Sequence, residues 1–136
     1  MRKRLAGFGG LALLAGCSVG NDLPRADAGV ADFHRELNAG QFQAIYNNAS
    51  ADMKGASTPD SMVKLFDAIH RKLGGFQSGA RASWNDTINT GGHFVTINYS
   101  ARYAAGPADE NFVFRIEGDR ALLAGYHINS MALIVN

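Results

Sequence analysis

The chain has 136 residues, 46% of them hydrophobic, which is enough for one ordinary domain with its own core. Three of the 13 basic residues lie at positions 2–4. The rest of the chain has ten basic and 12 acidic residues, so it has no excess of positive charge for binding nucleic acid or an anionic lipid surface. The single cysteine excludes a disulfide within the chain, so the core alone must hold the fold.

The first 17 residues have the pattern of a bacterial export signal. The basic stretch MRKR precedes LAGFGGLALLAG, which is twelve residues without a charge. A membrane-spanning helix needs about 20 apolar residues, so this run fits the apolar region of a signal peptide instead. The segment Leu14-Ala15-Gly16-Cys17 that follows resembles a bacterial lipobox.

The lipobox resemblance implies that residues 1–16 are cleaved off between Gly16 and Cys17. It also implies a diacylglycerol thioether on Cys17 and, in many bacteria, an amide-linked acyl chain such as palmitate. Two or more acyl chains anchor a protein stably to a membrane. Ser18 follows in place of Asp, which by resemblance to enterobacterial sorting favours the outer membrane, with the domain facing the periplasm. The alternative is an ordinary signal peptide followed by an unmodified cysteine.

The next stretch is polar and contains glycine and proline. Residues 18–29 read SVGNDLPRADAG. This composition predicts a lipidated tether over residues 17–28 that lifts a domain, residues 29–136, off the membrane.

Helical spacing of apolar residues then predicts three helices. The last helix is the clearest, with Thr58 as a capping residue, Pro59 in the first turn and Gly74-Gly75 at its end. The apolar positions of the three helices are Val30, Phe33 and Leu37; Phe42, Ile45, Tyr46 and Ala49; and Met62, Leu65, Phe66, Ile69 and Leu73.

After Gly75 the apolar period changes from 3.6 to 2, which predicts four antiparallel strands separated by turns. The first strand should place Phe76, Ala80, Ala82, Trp84 and Ile88 on one side, and the last should run through ALLAGYHINSMALIV. The fold class is therefore α+β, with three N-terminal helices packed on a curved four-stranded antiparallel sheet.

This order resembles the nuclear transport factor 2-like fold, the cone shared with ketosteroid isomerase. The phrases that carry the resemblance are FHRELNAGQFQAIYNNAS, MVKLFDAIHRKLGGF and ENFVFRIEGDRALLAGYHI, and it covers about Asp27 to Met131. It implies a pocket inside the cone and, commonly, a homodimer through the open sheet face, here Phe94, Thr96, Asn98 and Ser100. A cystatin-like or other helix-on-sheet fold is the alternative.

Enzymes of this fold place a carboxylate base and hydrogen-bonding groups inside the cone. Asp86 lies between Trp84 and Ile88 in period 2, so it should face the apolar side, where desolvation would raise its pKa. Tyr99, Tyr103 and Tyr126 lie on apolar faces of later strands and could donate from their hydroxyl groups. Aspartate is also common near turns and tyrosine in half-buried sheets, and no catalytic set aligns residue by residue. Asp86, Tyr99 and Tyr126 are therefore weak candidates, and no catalytic residue is assigned.

The four histidines do not have metal-binding spacing. His34, His70, His93 and His127 come from two helices and two strands, with His34 and His70 expected at the border between core and solvent. The sequence predicts neither a metal nor another cofactor.

We therefore expect a lipid-anchored envelope protein that binds a small apolar ligand or a protein partner without catalysis. One alternative is an isomerase or hydratase that uses Asp86 and a pocket tyrosine, and another is a structural component of an envelope complex. The candidate ligand-pocket residues are Tyr46, Phe66, Trp84, Asp86, Tyr99, Phe114 and Tyr126.

Overall fold

A computed structural model describes residues 18–135, which form an α+β domain of five helices and one antiparallel sheet. The predicted fold class and the four-stranded sheet are confirmed. The elements are α1 (Ser18–Asn38), α2 (Phe42–Asn47), α3 (Ala51–Ala56), α4 (Pro59–Leu73), β1 (Phe76–Asn89), β2 (Gly92–Tyr103), β3 (Gly106–Glu117), β4 (Arg120–Asn129) and α5 (Met131–Val135).

The predicted tether is wrong for residues 18–28, because these residues form the first half of α1. Asp22, Ala26 and Val30 recur every four residues on one face of α1 and are 2%, 0% and 3% exposed. Packing of this face against the sheet therefore outweighs the poor helix propensity of glycine and proline. The predicted cleavage and lipidation residues, Gly16 and Cys17, lie outside the described residues.

The number of helices also differs from the expected three. The second predicted helix, with apolar positions from Phe42 to Ala49, ends as α2 at Asn47, and α3 follows over Ala51–Ala56, where no helix was predicted. Between them lies the buried Ser50, whose backbone N–H donates to the Leu123 carbonyl at 2.9 Å. α4 matches its prediction, since the Thr58 hydroxyl accepts from the Ser61 N–H at 3.2 Å and Gly74 ends the helix with φ 73°.

The last strand is shorter than predicted. It ends at Asn129, and Ser130 turns the chain into α5. The Ser130 hydroxyl donates to the Pro107 carbonyl at 2.8 Å and accepts from the Ala132 N–H at 3.3 Å. This pair of bonds satisfies backbone groups at the end of the sheet and so favours a helical turn over a longer strand.

The sheet is a simple meander in the order β1-β2-β3-β4. Two rows of paired residues run across its helix-covered face, Val95–Phe114–Leu123 and Ile97–Phe112–Tyr126. α1 lies across this face and packs against all four strands. The core therefore lies between α1–α4 and the centre of the sheet.

The face of β1 changes along its length. β1 has two register shifts, one between Phe76 and Ser78 and one between Arg81 and Ser83. Ala80 therefore pairs with Ser100 on the outer face, whereas Phe76 pairs with Tyr103 and Trp84 with Ile97 on the inner face. The predicted common face of Phe76, Ala80 and Trp84 is therefore wrong for Ala80, because each of the two irregularities shifts the alternation by one residue.

A charged clamp joins α3 to the sheet. Arg115 donates from Nε and Nη2 to the Asp52 carboxylate at 2.6 and 2.8 Å, and from Nη2 to the Gly91 carbonyl at 2.8 Å. Its guanidinium carbon lies 4.7 Å from the centre of the Phe94 ring. The hydrogen bond from Arg115 holds the pKa of Asp52 well below its ordinary value.

We expect this clamp to make stability depend on pH in the acidic range. Because folding lowers the pKa of Asp52, its carboxylate stabilises the fold above about pH 4, the ordinary pKa of aspartate, and that contribution is lost as the pH falls further. In urea denaturation, Asp52→Asn should lower the midpoint at pH 7, and the difference from wild type should shrink at about pH 2. The exposed Asp119→Asn serves as the control. A midpoint difference for Asp52→Asn that is equal at both pH values would contradict this role.

Candidate functional site

A buried carboxylate lies at the centre of the core. β3 begins at Gly106, so the alternation of Ala108, Glu110, Phe112 and Phe114 carries Glu110 onto the helix-covered face. Glu110 is 2% exposed. A carboxylate so far from water is tolerated only when neighbouring groups satisfy its oxygens.

Three side chains from three elements satisfy Glu110. His34 of α1 lies with Nε2 2.8 Å from Oε1. The hydroxyls of Tyr103 on β2 and Tyr126 on β4 donate to Oε2 at 2.7 and 2.5 Å. Both carboxylate oxygens are therefore occupied inside the protein. We call these four residues the Glu110 network.

The network keeps its two phenols protonated. Burial, followed by the nearby charge of Glu110, raises the pKa of Tyr103 and of Tyr126 well above the ordinary value for tyrosine. Both hydroxyls are therefore fixed as donors toward Glu110 over the whole physiological pH range.

His34 connects the network to an open cleft beside α1. Its ring stacks on Phe76 at 3.7 Å between centroids with planes only 3° apart, and Tyr99 lies 5.3 Å away. The cleft has a volume of about 490 Å³ and lies between α1 and strands β1 and β2. Its walls include Val30, Ala31, His34, Phe76 and Tyr99. We call it the α1–β1 cleft.

The rim of the α1–β1 cleft is polar. Arg81 donates to Asp27 at 2.7 Å across it, and Asn38 exchanges hydrogen bonds with the backbone N–H and carbonyl of Phe76 at 2.8 and 3.1 Å. Partial burial, with a smaller effect of the Glu110 charge, raises the pKa of Tyr99. The cleft therefore offers aromatic walls, a neutral phenol and hydrogen-bonding groups at its edge.

A second cleft, of about 430 Å³, lies on the other side of α1, against β4. Its apolar floor includes Phe33, Ile45, Phe114 and Leu123. Its ionisable lining residues are three arginines and three acids, so the rim has no net charge: Arg25, Asp32, Arg35, Glu36, Asp119 and Arg120.

The structure separates the candidate pocket residues predicted from sequence. Tyr99 lines the α1–β1 cleft and Phe114 the second cleft. Phe66 is fully buried among core aromatic rings, and Tyr126 is bonded to Glu110. Tyr46 is buried and donates to the Ser57 carbonyl at 3.0 Å, which ties α2 to the end of α3.

Trp84 and Ile88 lie on the predicted face but outside the core. They are 49% and 74% exposed, because β1 extends beyond the helices that cover the rest of the sheet. The expected place of Trp84 in an enclosed pocket is therefore wrong.

Asp86 faces the helix side of the sheet, as predicted, but its partner is a histidine. Its Oδ1 lies 2.6 Å from His93 Nε2. Within residues 18–135, no hydrogen bond joins Asp86 to Tyr99 or Tyr126. The acid and the tyrosines proposed from sequence are thus not brought into one constellation.

Sequence reasoning missed Glu110 and the role of His34. Gly106 and Pro107 just before Glu110 are residue types typical of turns, although the alternation of Phe112 and Phe114 extends back through Glu110 to Ala108. His34 was expected at the core border but is 3% exposed. Its position four residues after Val30, on the buried face of α1, is the signal that could have located it.

Comparison with known families gives a match over most of the domain. Residues 30–120 match the family described as "Protein of unknown function (DUF3887)". The chain belongs to this family. The matched span contains His34, Tyr99, Tyr103 and Glu110 and ends before Tyr126. A comparison with curated proteins finds no match.

None of the helices in residues 18–135 is both long enough and apolar enough to cross a membrane.

We expect the Glu110 network to dominate core stability. Glu110→Ala leaves three buried polar groups without an acceptor and should lower the free energy of unfolding by about 3–5 kcal/mol. Glu110→Gln retains a carbonyl oxygen for the tyrosines and should lower it by about 1–3 kcal/mol. Urea denaturation measures both values.

The neighbouring Asp109→Ala is the matched control, because Asp109 is exposed on the outer face and the change should stay within about 0.5 kcal/mol. If Glu110→Ala were as mild as Asp109→Ala, the network would not be the stabilising centre described above.

Proposed function

We propose that the protein is a lipid-anchored component of the bacterial envelope whose domain, of the nuclear transport factor 2-like type, binds a small ligand without catalysis. The α1–β1 cleft is the observation that carries this proposal. Its volume of about 490 Å³ lies in the range of about 300–1,000 Å³ that is usual for small-molecule sites.

The lining of the cleft supports a ligand class. Phe76 and Tyr99 offer aromatic surface, and Val30 and Ala31 add aliphatic surface on the helix side. The Asp27–Arg81 pair at the rim can exchange hydrogen bonds with a polar group. The ligand that fits is a small amphipathic molecule with a flat apolar body and one polar end.

The chemistry of the core supports binding in preference to catalysis. The Glu110 side chain has no exposed surface, and both of its oxygens are bonded within the network. A general base must reach the proton that it removes. Glu110 therefore serves to hold His34 and the two tyrosines in place, and His34 in turn supports the stacked Phe76 wall.

The fold and the anchor rest on separate support. Helices followed by a four-stranded antiparallel meander agree with the nuclear transport factor 2-like arrangement. The anchor rests on the lipobox resemblance at Leu14–Cys17. The homodimer through the outer face stays a prediction. On that face Asn98 donates to Ser83 and accepts from Asn111, so both polar atoms of its side chain already have partners within the sheet.

The ligand assignment can be tested by filling either cleft. Ala31→Phe places a ring in the α1–β1 cleft, and Ala28→Phe places one in the second cleft, three residues earlier on the same helix. We expect native mass spectrometry of the full-length protein, extracted gently from its host, to show a bound small molecule. That molecule should be lost in Ala31→Phe and kept in Ala28→Phe.

Loss of the bound molecule in Ala28→Phe but not in Ala31→Phe would instead assign the ligand to the second cleft. If the wild-type protein showed only the mass of the polypeptide and its lipid, the ligand-binding function would be contradicted and a role in binding other proteins would be favoured.

The anchor is tested at Cys17. Cys17→Ser should abolish incorporation of radiolabelled palmitate and move the protein from the membrane to the soluble fraction, because the thioether requires the sulfur. Ser18→Ala is the control and should remain labelled and membrane-bound. A Cys17→Ser protein that stayed lipid-labelled would rule out this anchor.

A further inference from the structure

Three side chains able to bind a metal ion meet where α1 crosses the β1–β2 hairpin. Asp22 comes from α1, Asp86 from β1 and His93 from β2. One ligand atom of each lies within 4.8 Å of the other two. They lie apart from the clefts and from the Glu110 network, so their convergence is not explained by the proposed ligand site.

The two carboxylates converge on one imidazole nitrogen. His93 Nε2 lies 2.6 Å from Asp86 Oδ1 and 3.5 Å from Asp22 Oδ2. A ring N–H can direct a strong hydrogen bond to only one acceptor, and the shorter distance assigns it to Asp86. Asp22 is then the carboxylate with the poorer contact to His93.

Asp22 is also the most buried of the three. It is 2% exposed, and its other charged neighbour in the described chain, Arg25, reaches Oδ1 only at 3.4 Å. Charge-assisted hydrogen bonds are usually about 2.7–2.9 Å long. A carboxylate removed from water with contacts this long is poorly compensated, and a second carboxylate beside it adds repulsion.

We propose that this cluster binds a divalent first-row metal ion of the zinc type. The ligands are Asp22 Oδ2, Asp86 Oδ1 and His93 Nε2, with water completing the coordination. One imidazole and two carboxylates suit zinc, cobalt or manganese, whereas calcium and magnesium prefer all-oxygen sites. The ion would add a positive charge next to Asp22, whose contacts to Arg25 and His93 are 3.4 and 3.5 Å long.

The geometry needs an adjustment of about 1 Å. Ligand atoms about 2.0–2.2 Å from a tetrahedral zinc ion lie about 3.3–3.6 Å apart, so the Asp86–His93 contact of 2.6 Å has to lengthen by about 1 Å, and the other separations, all within 4.8 Å, have to shorten by about 1.5 Å at most. Asp86 and His93 have side chains that are 21% and 23% exposed, which provides an entry path from solvent. Binding would cross-link the N-terminal half of α1 to the hairpin.

The proposal is tested by metal titration of the full-length protein in mild detergent, after a chelator has removed any bound metal. Titration with Zn²⁺ should show one equivalent bound and a rise in the thermal midpoint, with no comparable rise for Mg²⁺. Co²⁺ should give visible absorption bands typical of a low coordination number, and these bands should disappear when Zn²⁺ is added. Asp86→Asn and His93→Gln should each weaken Zn²⁺ binding by about tenfold or more.

The matched control is His127→Gln, because His127 is exposed on the outer sheet face and should leave Zn²⁺ binding unchanged. Circular dichroism establishes that each variant is folded. Absence of a Zn²⁺ equivalent and of Co²⁺ bands in the wild-type protein would overturn the proposal. Wild-type affinity in both folded variants would also overturn it, since it would assign the binding to other groups. The ligand test at Ala31 is independent of either result.

Discussion

The burial of one carboxylate, Glu110, is the constraint on which the rest of the domain depends. Its three partners come from α1, β2 and β4, so the charge is satisfied only when all three elements have the correct register. Hydrophobic contacts alone tolerate sliding of a helix over a sheet, whereas a buried ion with fixed partners does not. The network thus selects one position of α1 on the sheet.

This position determines where open space remains. Phe33, Phe112 and Tyr126 pack with ring centroids 4.5–5.1 Å apart beneath α1, so aromatic side chains occupy the centre of the fold. The two clefts lie along the flanks of α1, where the helix does not meet the strands closely. The open space is therefore lateral to the core, and His34 connects the buried Glu110 network to the wall of the α1–β1 cleft.

Much of the fold could be predicted from the sequence. The capped helix α4 and the alternating strands follow from local propensity and from the spacing of apolar residues. The side of the sheet predicted for Asp86 is correct for the same reason. The structure of residues 18–28 could not be predicted locally, because it depends on burial of Asp22 and Ala26 against distant strands. The bulge in β1 likewise depends on pairing with β2.

The candidate site was less accessible to sequence reasoning. Glu110 lies after a glycine and a proline, which are typical of turns, and a charged residue does not indicate that an apolar alternation continues. The convergence of Asp22, Asp86 and His93 joins positions 22 and 93, a separation that no local motif encodes. Side chains brought together by topology alone leave little trace in one sequence.

The start of α1 bears on how the anchor proposed at Cys17 would hold the domain. A flexible linker of twelve residues would let the domain wander about 20 Å from its anchor and tumble freely. α1 instead begins at Ser18 and runs for 21 residues, about 30 Å, as part of the packed domain. If the preceding residue carries the proposed lipid, residues 18–38 add no flexible linker between the bilayer and the domain, and the reach of the domain is set by the packed helix α1.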